Sequence, residues 1–190
     1  MKKPIYITTA IIFLLLNLCL TQVYSQARTS TSLGYDVNLP LHSGYKFGYG
    51  FNWQTNIKVS NKVAISPVLG YDRINSDGGI IYSNDGYGHY RYRDNIDLFY
   101  LGLGAKYYFD KQFFARAGAM IYIGGGNEDL VTGGIGGTAA VGYDWTIDKR
   151  STFELTLRTD IINFKTNHRE VGAIAGLGIA YKFNFRKLKE

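Results

Sequence analysis

Cysteine is nearly absent. Cys19 is the sole cysteine in 190 residues and sits in an apolar N-terminal run. Once that run is removed the chain has no thiol, which excludes disulfide staples and thiolate metal ligands. Proline is also scarce, at 3. Beyond the N-terminal run, no apolar stretch approaches the roughly 18 residues of a helical span. This excludes a helical anchor in the mature chain. It is silent about membrane strands, whose signal is weak per segment. A dominant charge is missing too, since Lys+Arg is 21 and Asp+Glu is 15, scattered along the chain. No basic stripe suited to nucleic acid emerges.

The N-terminus reads as an export signal. Lys2 and Lys3 precede an apolar run that includes Ile11-Ile12-Phe13-Leu14-Leu15-Leu16 and reaches about Leu20. Val23-Tyr24-Ser25 offers small-enough residues three and one before a cut. The expected division is a signal peptide over 1–25 and one domain over 26–190. Leu18 stands where a lipoprotein signal wants a small residue before Cys19, which argues against a lipid anchor. Loss of Lys2 and Lys3 takes the formal charge from +6 to +4.

What is abundant is Tyr at 16, Phe at 11 and Gly at 23, a composition that favours sheet. In "KFGYGFNWQTNIKV", residues 46–59, Phe47, Tyr49, Phe51, Trp53, Thr55, Ile57 and Val59 alternate with small or polar residues. A period of two predicts a strand with two unlike faces. The same pattern predicts strands near 31–39, 63–74, 96–109, 113–123, 135–147, 152–164 and 170–185, eight in all. Pro67 is a mild objection to the third, because it cannot donate to a ladder. The breaks alternate in length. Those at 60–62, 110–112 and 148–151 are short, whereas 40–45, 75–95, 124–134 and 165–169 are longer.

Eight strands close into a barrel whose interior is only wide enough for side chains. Phe51, Trp53, Tyr107, Phe109, Trp145, Tyr181 and their like are too bulky to share that interior. The opposite face carries Gly48, Gly50, Gly102, Gly118, Gly142, Gly176 and Gly178. It also carries the charges Asp72, Arg116, Glu154, Arg158, Asp160 and Lys182. The large face therefore points out into lipid, and these six charges are expected to pair as an ion network across a closed lumen. The fold class expected is all-β, an eight-stranded antiparallel up-and-down transmembrane barrel. The alternative is a secreted lipocalin-like calyx that carries a hydrophobic ligand, with the aromatic face inward.

The signal, the alternating "YGFNWQTNIKV", "YLGLGAKYYF" and "AGLGIAYKFNF", and the final aromatic pair carry a resemblance. Over its whole mature length the chain resembles the small eight-stranded outer-membrane barrels of OmpA/OmpX type, and the outer-membrane β-barrel domain family common in Bacteroidota. The resemblance implies the outer membrane of a Gram-negative cell and a monomer. It implies as partners outer-membrane lipids, lipopolysaccharide and the barrel assembly machinery. Such barrels usually end on an aromatic residue that the assembly machinery reads. Here Arg186-Lys187-Leu188-Lys189-Glu190 follows Phe185, so the tail is tolerated or the assembly signal is internal.

Function is expected in the outer loops. The 75–95 break is built of Tyr, Gly, Ser, Asn and Asp, a composition that paratopes use for adaptable contact. Its candidate binding residues for a surface ligand are Tyr82, Tyr87, His89, Tyr90, Arg91, Tyr92 and Arg93. No catalytic residue, cofactor or metal is expected. His42, His89 and His168 fall in loops, and a metal site needs three ligands to converge. His42-Ser43 and Thr166-Asn167-His168 are the only candidates for a lipid A-modifying enzyme that uses a His and a Ser, and neither matches such a motif well. "GGGNEDLVTGG" resembles a calcium nonapeptide repeat, but a single copy has no stacking neighbour and reads as a loop.

Overall fold

The computed structural model describes residues 29–41, 43–83, 89–125, 131–165 and 169–185. The expected signal, 1–25, and the tail after Phe185 lie outside them. Ten strands follow in chain order: β1 (Thr29–Pro40), β2 (Tyr45–Lys58), β3 (Val63–Ser76), β4 (Ile80–Ser83), β5 (His89–Tyr92), β6 (Ile96–Tyr108), β7 (Phe113–Gly125), β8 (Val131–Thr146), β9 (Ser151–Lys165) and β10 (Arg169–Asn184). Eight of them close into an antiparallel barrel in the order β1-β10-β9-β8-β7-β6-β3-β2. Every barrel neighbour except the closing β1–β10 pair follows in sequence once β4 and β5 are set aside. Strands of 12 to 16 residues suit a tilted crossing of a bilayer.

The aromatic face points outward. Trp53, Phe99, Leu101, Leu103, Phe109 and Trp145 are each more than half exposed. Their inward neighbours in sequence, Gln54, Leu98, Tyr100, Gly102, Tyr108 and Asp144, are buried. An apolar band of this extent around a closed sheet is tolerable only in hydrocarbon. Edge-on ring pairs knit the band, as Tyr35–Phe51 at 5.1 Å and Phe113–Tyr143 at 4.8 Å show.

Three details depart from the sequence reading. First, the 75–95 break contains a hairpin, β4 paired with β5, as a separate two-stranded sheet. Its Ile and Tyr residues favour strand, although the surrounding Gly, Asn and Asp read as loop. Second, the alternation over 46–59 is interrupted. Lys46 pairs with Asn75 but Tyr49 with Arg73, so β2 holds one extra residue and bulges at Phe47-Gly48. The approach is so close that a Cβ on Gly48 would lie 2.0 Å from the Arg73 carbonyl oxygen. Third, Pro67 sits inside β3, where the ladder to β2 lapses between Ile57↔Ile65 and Gln54↔Val68. The ladder to β6 continues through Pro67↔Leu103. The missing donor therefore falls at a break that already exists.

The three short connections, 59–62, 109–112 and 147–150, gather at one end with Thr29 and Phe185. The longer connections gather at the other. In outer-membrane barrels the short-turn end is periplasmic.

Candidate functional site

The lumen is packed in layers, and the parity of each strand decides what enters it. At the short-turn end the rings of Tyr108 (β6) and Phe114 (β7) form a floor, with centroids 5.9 Å apart. Lys106 lies on this floor, its Nζ 3.5 Å from the Phe114 centroid. The same nitrogen donates to Glu154 Oε2 at 2.6 Å. Lys182 donates to that oxygen at 3.2 Å and also to Asp144 Oδ2. Four strands thus supply two cations and two carboxylates to one knot. Register brings them together, since Glu154 lies opposite both Ala180 and Asp144.

Above it sits a polar belt. Arg116 donates through Nη1 to Gln54 Oε1. Gln54 Nε2 and Ser66 Oγ both donate to Asn56 Oδ1, at 2.8 and 2.7 Å. A cavity of about 20 Å³ lies among Gln54, Arg116, Tyr100, Thr138 and Arg158, room for about one water.

The third layer is organised by Arg158 on β9. Its Nη2 donates to Asp72 Oδ2 at 3.0 Å and to Asn38 Oδ1 at 3.1 Å. Its Nη1 donates to Tyr100 Oη at 2.9 Å and lies 3.5 Å from Asp36 Oδ2. Its Nε faces Asp160 Oδ2 at 2.9 Å. Amides bind two of the carboxylates as well, Asn38 donating to Asp72 Oδ1 at 2.7 Å and Asn52 to Asp36 Oδ2, the oxygen that Arg158 also faces, at 2.5 Å. A buried cation among three carboxylates is tolerable because Arg158 reaches all three and amides bind two of them.

An apolar plug closes the outer end. Ile74, Ile96, Leu98, Tyr122, Ile162 and Ile174 are all buried inside the barrel. Tyr122 places its one polar atom by donating to the Ile161 carbonyl at 2.7 Å. The inner face thus holds large apolar side chains beside the glycines and charges read from the sequence. These side chains arrive by strand parity near the long-connection ends of their strands.

Of the six lumen charges read from the sequence, Arg158 gathers Asp72 and Asp160, Lys182 meets Glu154, and Arg116 meets Gln54. The reading left Asp36, Lys106 and Asp144 out of the network. Alternation within 31–39, 96–109 and 135–147 already put all three on the inner face, which is the signal that was available.

Above the plug, the hairpin leaves the barrel on a pinned base. Arg93 Nη1 donates to Asp77 Oδ1 at 3.0 Å, and its guanidinium lies 5.5 Å from the Tyr45 ring centroid. Arg93 N donates to the Gly79 carbonyl at 2.8 Å, and Asp77 N to the Gly44 carbonyl at 3.1 Å. Gly44 has φ 91°, and a Cβ there would lie 1.5 Å from Arg93 Nη1. Asp77 also accepts from Gly79 N at 2.8 Å, and that amide holds its carboxyl below the usual aspartate range. Arg93 is thus a structural clamp in the described geometry. Tyr90 and Tyr92 stand 77% and 73% exposed, and Ile80, opposite Tyr92, is 63% exposed. Tyr82, His89 and Arg91 occupy β4 and β5 by register. Tyr87, His42, Thr166, Asn167 and His168 fall outside the described residues.

A closed barrel with a filled lumen, an outward apolar band and long connections at one end defines an integral outer-membrane β-barrel protein. Solved structures share this fold. Neisserial surface protein A matches with a TM-score of 0.54 and 14% identity, over 84% of this chain and 97% of that one. Ail, the attachment invasion locus protein of Yersinia pestis, matches with a TM-score of 0.52 and 11% identity, over 84% and 99%. No protein-family model and no curated protein matches the chain.

Proposed function

We propose that the protein is a non-catalytic surface interaction module, in which a sealed barrel displays the β4–β5 hairpin as its contact surface. The filling of the lumen supports this reading most. Two ion layers and an apolar plug occupy the only route through the barrel, so transport along the axis has no path among the described residues. An inward calyx is disfavoured as well, because the aromatic face points out and the lumen cavity holds about one water. Among the described residues the hairpin is the one strand pair outside the barrel's hydrogen-bonded ring, and it presents Ile80, Tyr90 and Tyr92 on one face. Tyrosines combine rigid contact area with a hydroxyl at low entropic cost.

The charge of the outer connections bears on the ligand. Ail has also been solved in complex with the heparin analogue sucrose octasulfate, in a structure matching this one with a TM-score of 0.50. In this chain the stretches 41–46, 73–97, 124–134 and 165–170 carry six basic and seven acidic residues. That balance disfavours a polyanion and favours an uncharged glycan or a protein surface. Deleting residues 78–92 in cells that display the protein tests the reading. Attachment to host-cell or matrix surfaces is expected to fall to background while the unboiled gel shift of a folded barrel persists. Attachment at the wild-type level would overturn it.

A further inference from the structure

The positive balance of the chain has an address. The lumen holds four basic and five acidic side chains, and the outer connections are balanced to within one charge. The surplus lies at the short-turn end. The turns and their flanks hold the basic Lys58, Lys62, Lys111, Lys149 and Arg150 against two acidic residues, Asp110 and Asp148, with the Lys58 Nζ 4.8 Å from the Tyr108 ring centroid.

Both of those aspartates are engaged by their own turns. Asp110 Oδ1 accepts from Gln112 N and Phe113 N, both at 2.7 Å. Asp148 Oδ1 accepts from Arg150 N at 2.6 Å and Ser151 N at 2.8 Å. Ser60 Oγ does the same for Lys62 N and Val63 N, at 3.2 and 3.0 Å. The three turns are thus built alike. Each is also tied to the adjacent hairpin by one carbonyl. Lys62 O accepts from Tyr108 N at 2.7 Å, Gln112 O from Asp144 N at 2.9 Å, and Arg150 O from Asn184 N at 2.7 Å. The turns fix the backbone that bears Lys62, Lys111 and Arg150. Next to them along the chain stand the exposed Val59, Phe109, Phe113, Trp145 and Ile147, which suit the lipid interface.

We propose that this end is a docking ring for the anionic headgroups of phospholipids in the periplasmic leaflet, with Lys62, Lys111 and Arg150 as its cations. The phosphate is recognised by charge, and the acyl chains lie along the apolar band above. Cell-wall glycan is the less favoured occupant, because turns this short keep the cations at the interface instead of carrying them into the periplasm. The ring does not depend on the hairpin reading, since it lies at the opposite end of the barrel.

The test uses the full mature chain in phosphatidylcholine vesicles doped with phosphatidylglycerol, followed by gentle detergent extraction and mass spectrometry of retained lipid. Phosphatidylglycerol is expected to be enriched on the wild type by about fivefold or more, the scale of one interfacial cation. The enrichment should vanish in K62S/K111S/R150S, which keeps Asp110, Asp148 and Ser60 and should keep the unboiled gel shift. Equal retention of the two lipids by the wild type would overturn the proposal, as would undiminished enrichment on the triple variant. Sedimentation with isolated cell-wall sacculi in place of vesicles, lost in the same variant and unaccompanied by lipid enrichment, would reassign the ring to glycan. If the variant loses its gel shift, K62R/K111R provides the readout: full enrichment supports the ring, and loss overturns it.

Discussion

Arg158→Met removes the guanidinium that three carboxylates share. Asp36, Asp72 and Asp160 are each 2–3% exposed, and Arg158 is 4% exposed. The guanidinium reaches five partners between 2.9 and 3.5 Å, namely Asp36, Asp72, Asp160, Asn38 and Tyr100. Removing one partner of a buried ion pair costs about 3–5 kcal/mol, because the remaining charge stays buried and uncompensated. Three carboxylates are left here, so the upper part of that range is expected. Against typical stabilities of about 5–15 kcal/mol, this is a large share. Urea unfolding in phosphatidylcholine vesicles, followed by tryptophan fluorescence and by the unboiled gel band, should show a much lower midpoint. The deficit should shrink when Arg158→Met is combined with Asp36→Asn, Asp72→Asn and Asp160→Asn. A single variant with the wild-type midpoint, or a deficit untouched by the three amides, would refute the argument that Arg158 organises this layer.

Three further outcomes follow from the same geometry. Gly118→Val should destabilise the barrel by about 1–3 kcal/mol in the same unfolding assay, since a Cβ there meets Leu103 O at 2.5 Å and Gly104 Cα at 2.6 Å. Gly137→Ala, whose nearest contact is 3.9 Å, should be tolerated; equal effects would contradict the close packing of β6 on β7. Asp110 and Asp148 each accept two turn amides, which hold both carboxyls below the usual aspartate range. A lowered folded-state value stabilises above the unfolded value and is lost as pH falls through the folded one. Asp110→Ala with Asp148→Ala should therefore lower the midpoint at neutral pH, and the gap to the wild type should close in acid. A gap constant with pH would discount the turn carboxylates. Trp53 and Trp145 are 53% and 68% exposed on the lipid face, so brominated lipids should quench both. Trp145, close to the turn, should respond best to bromines near the headgroups, and unquenched tryptophans would mean that this face is not in lipid.

Much of the barrel was legible because strand parity is a local property. In β6, Phe99, Leu101 and Leu103 alternate with Tyr100, Gly102 and Gly104, and that alone assigns faces once eight strands are counted. The bulk of Trp53 or Phe109 then settles which face is outside, since an eight-stranded interior has no room for them. Connection length sorted the two ends in the same way, because a tight Asp110-Lys111-Gln112 turn can only join adjacent antiparallel strands.

The sequence by itself thus determined the strand count of the barrel, the outward face and the end that bears the short turns. Tertiary structure alone decided the partners. Arg158 meets Asp72 from 86 residues away and Asp36 from 122, and no local pattern names either. The extra residue at Phe47-Gly48 shifts how β2 meets β3, so depth along the axis cannot be counted from one strand. The plug of Ile74, Ile96, Ile162 and Ile174 was hidden for the same reason. Parity places those side chains inward, but only closure of the ring brings four strand ends together over the lumen. Face is set by alternate residues of one chain segment, whereas neighbours across a barrel are set by the register of all eight strands at once.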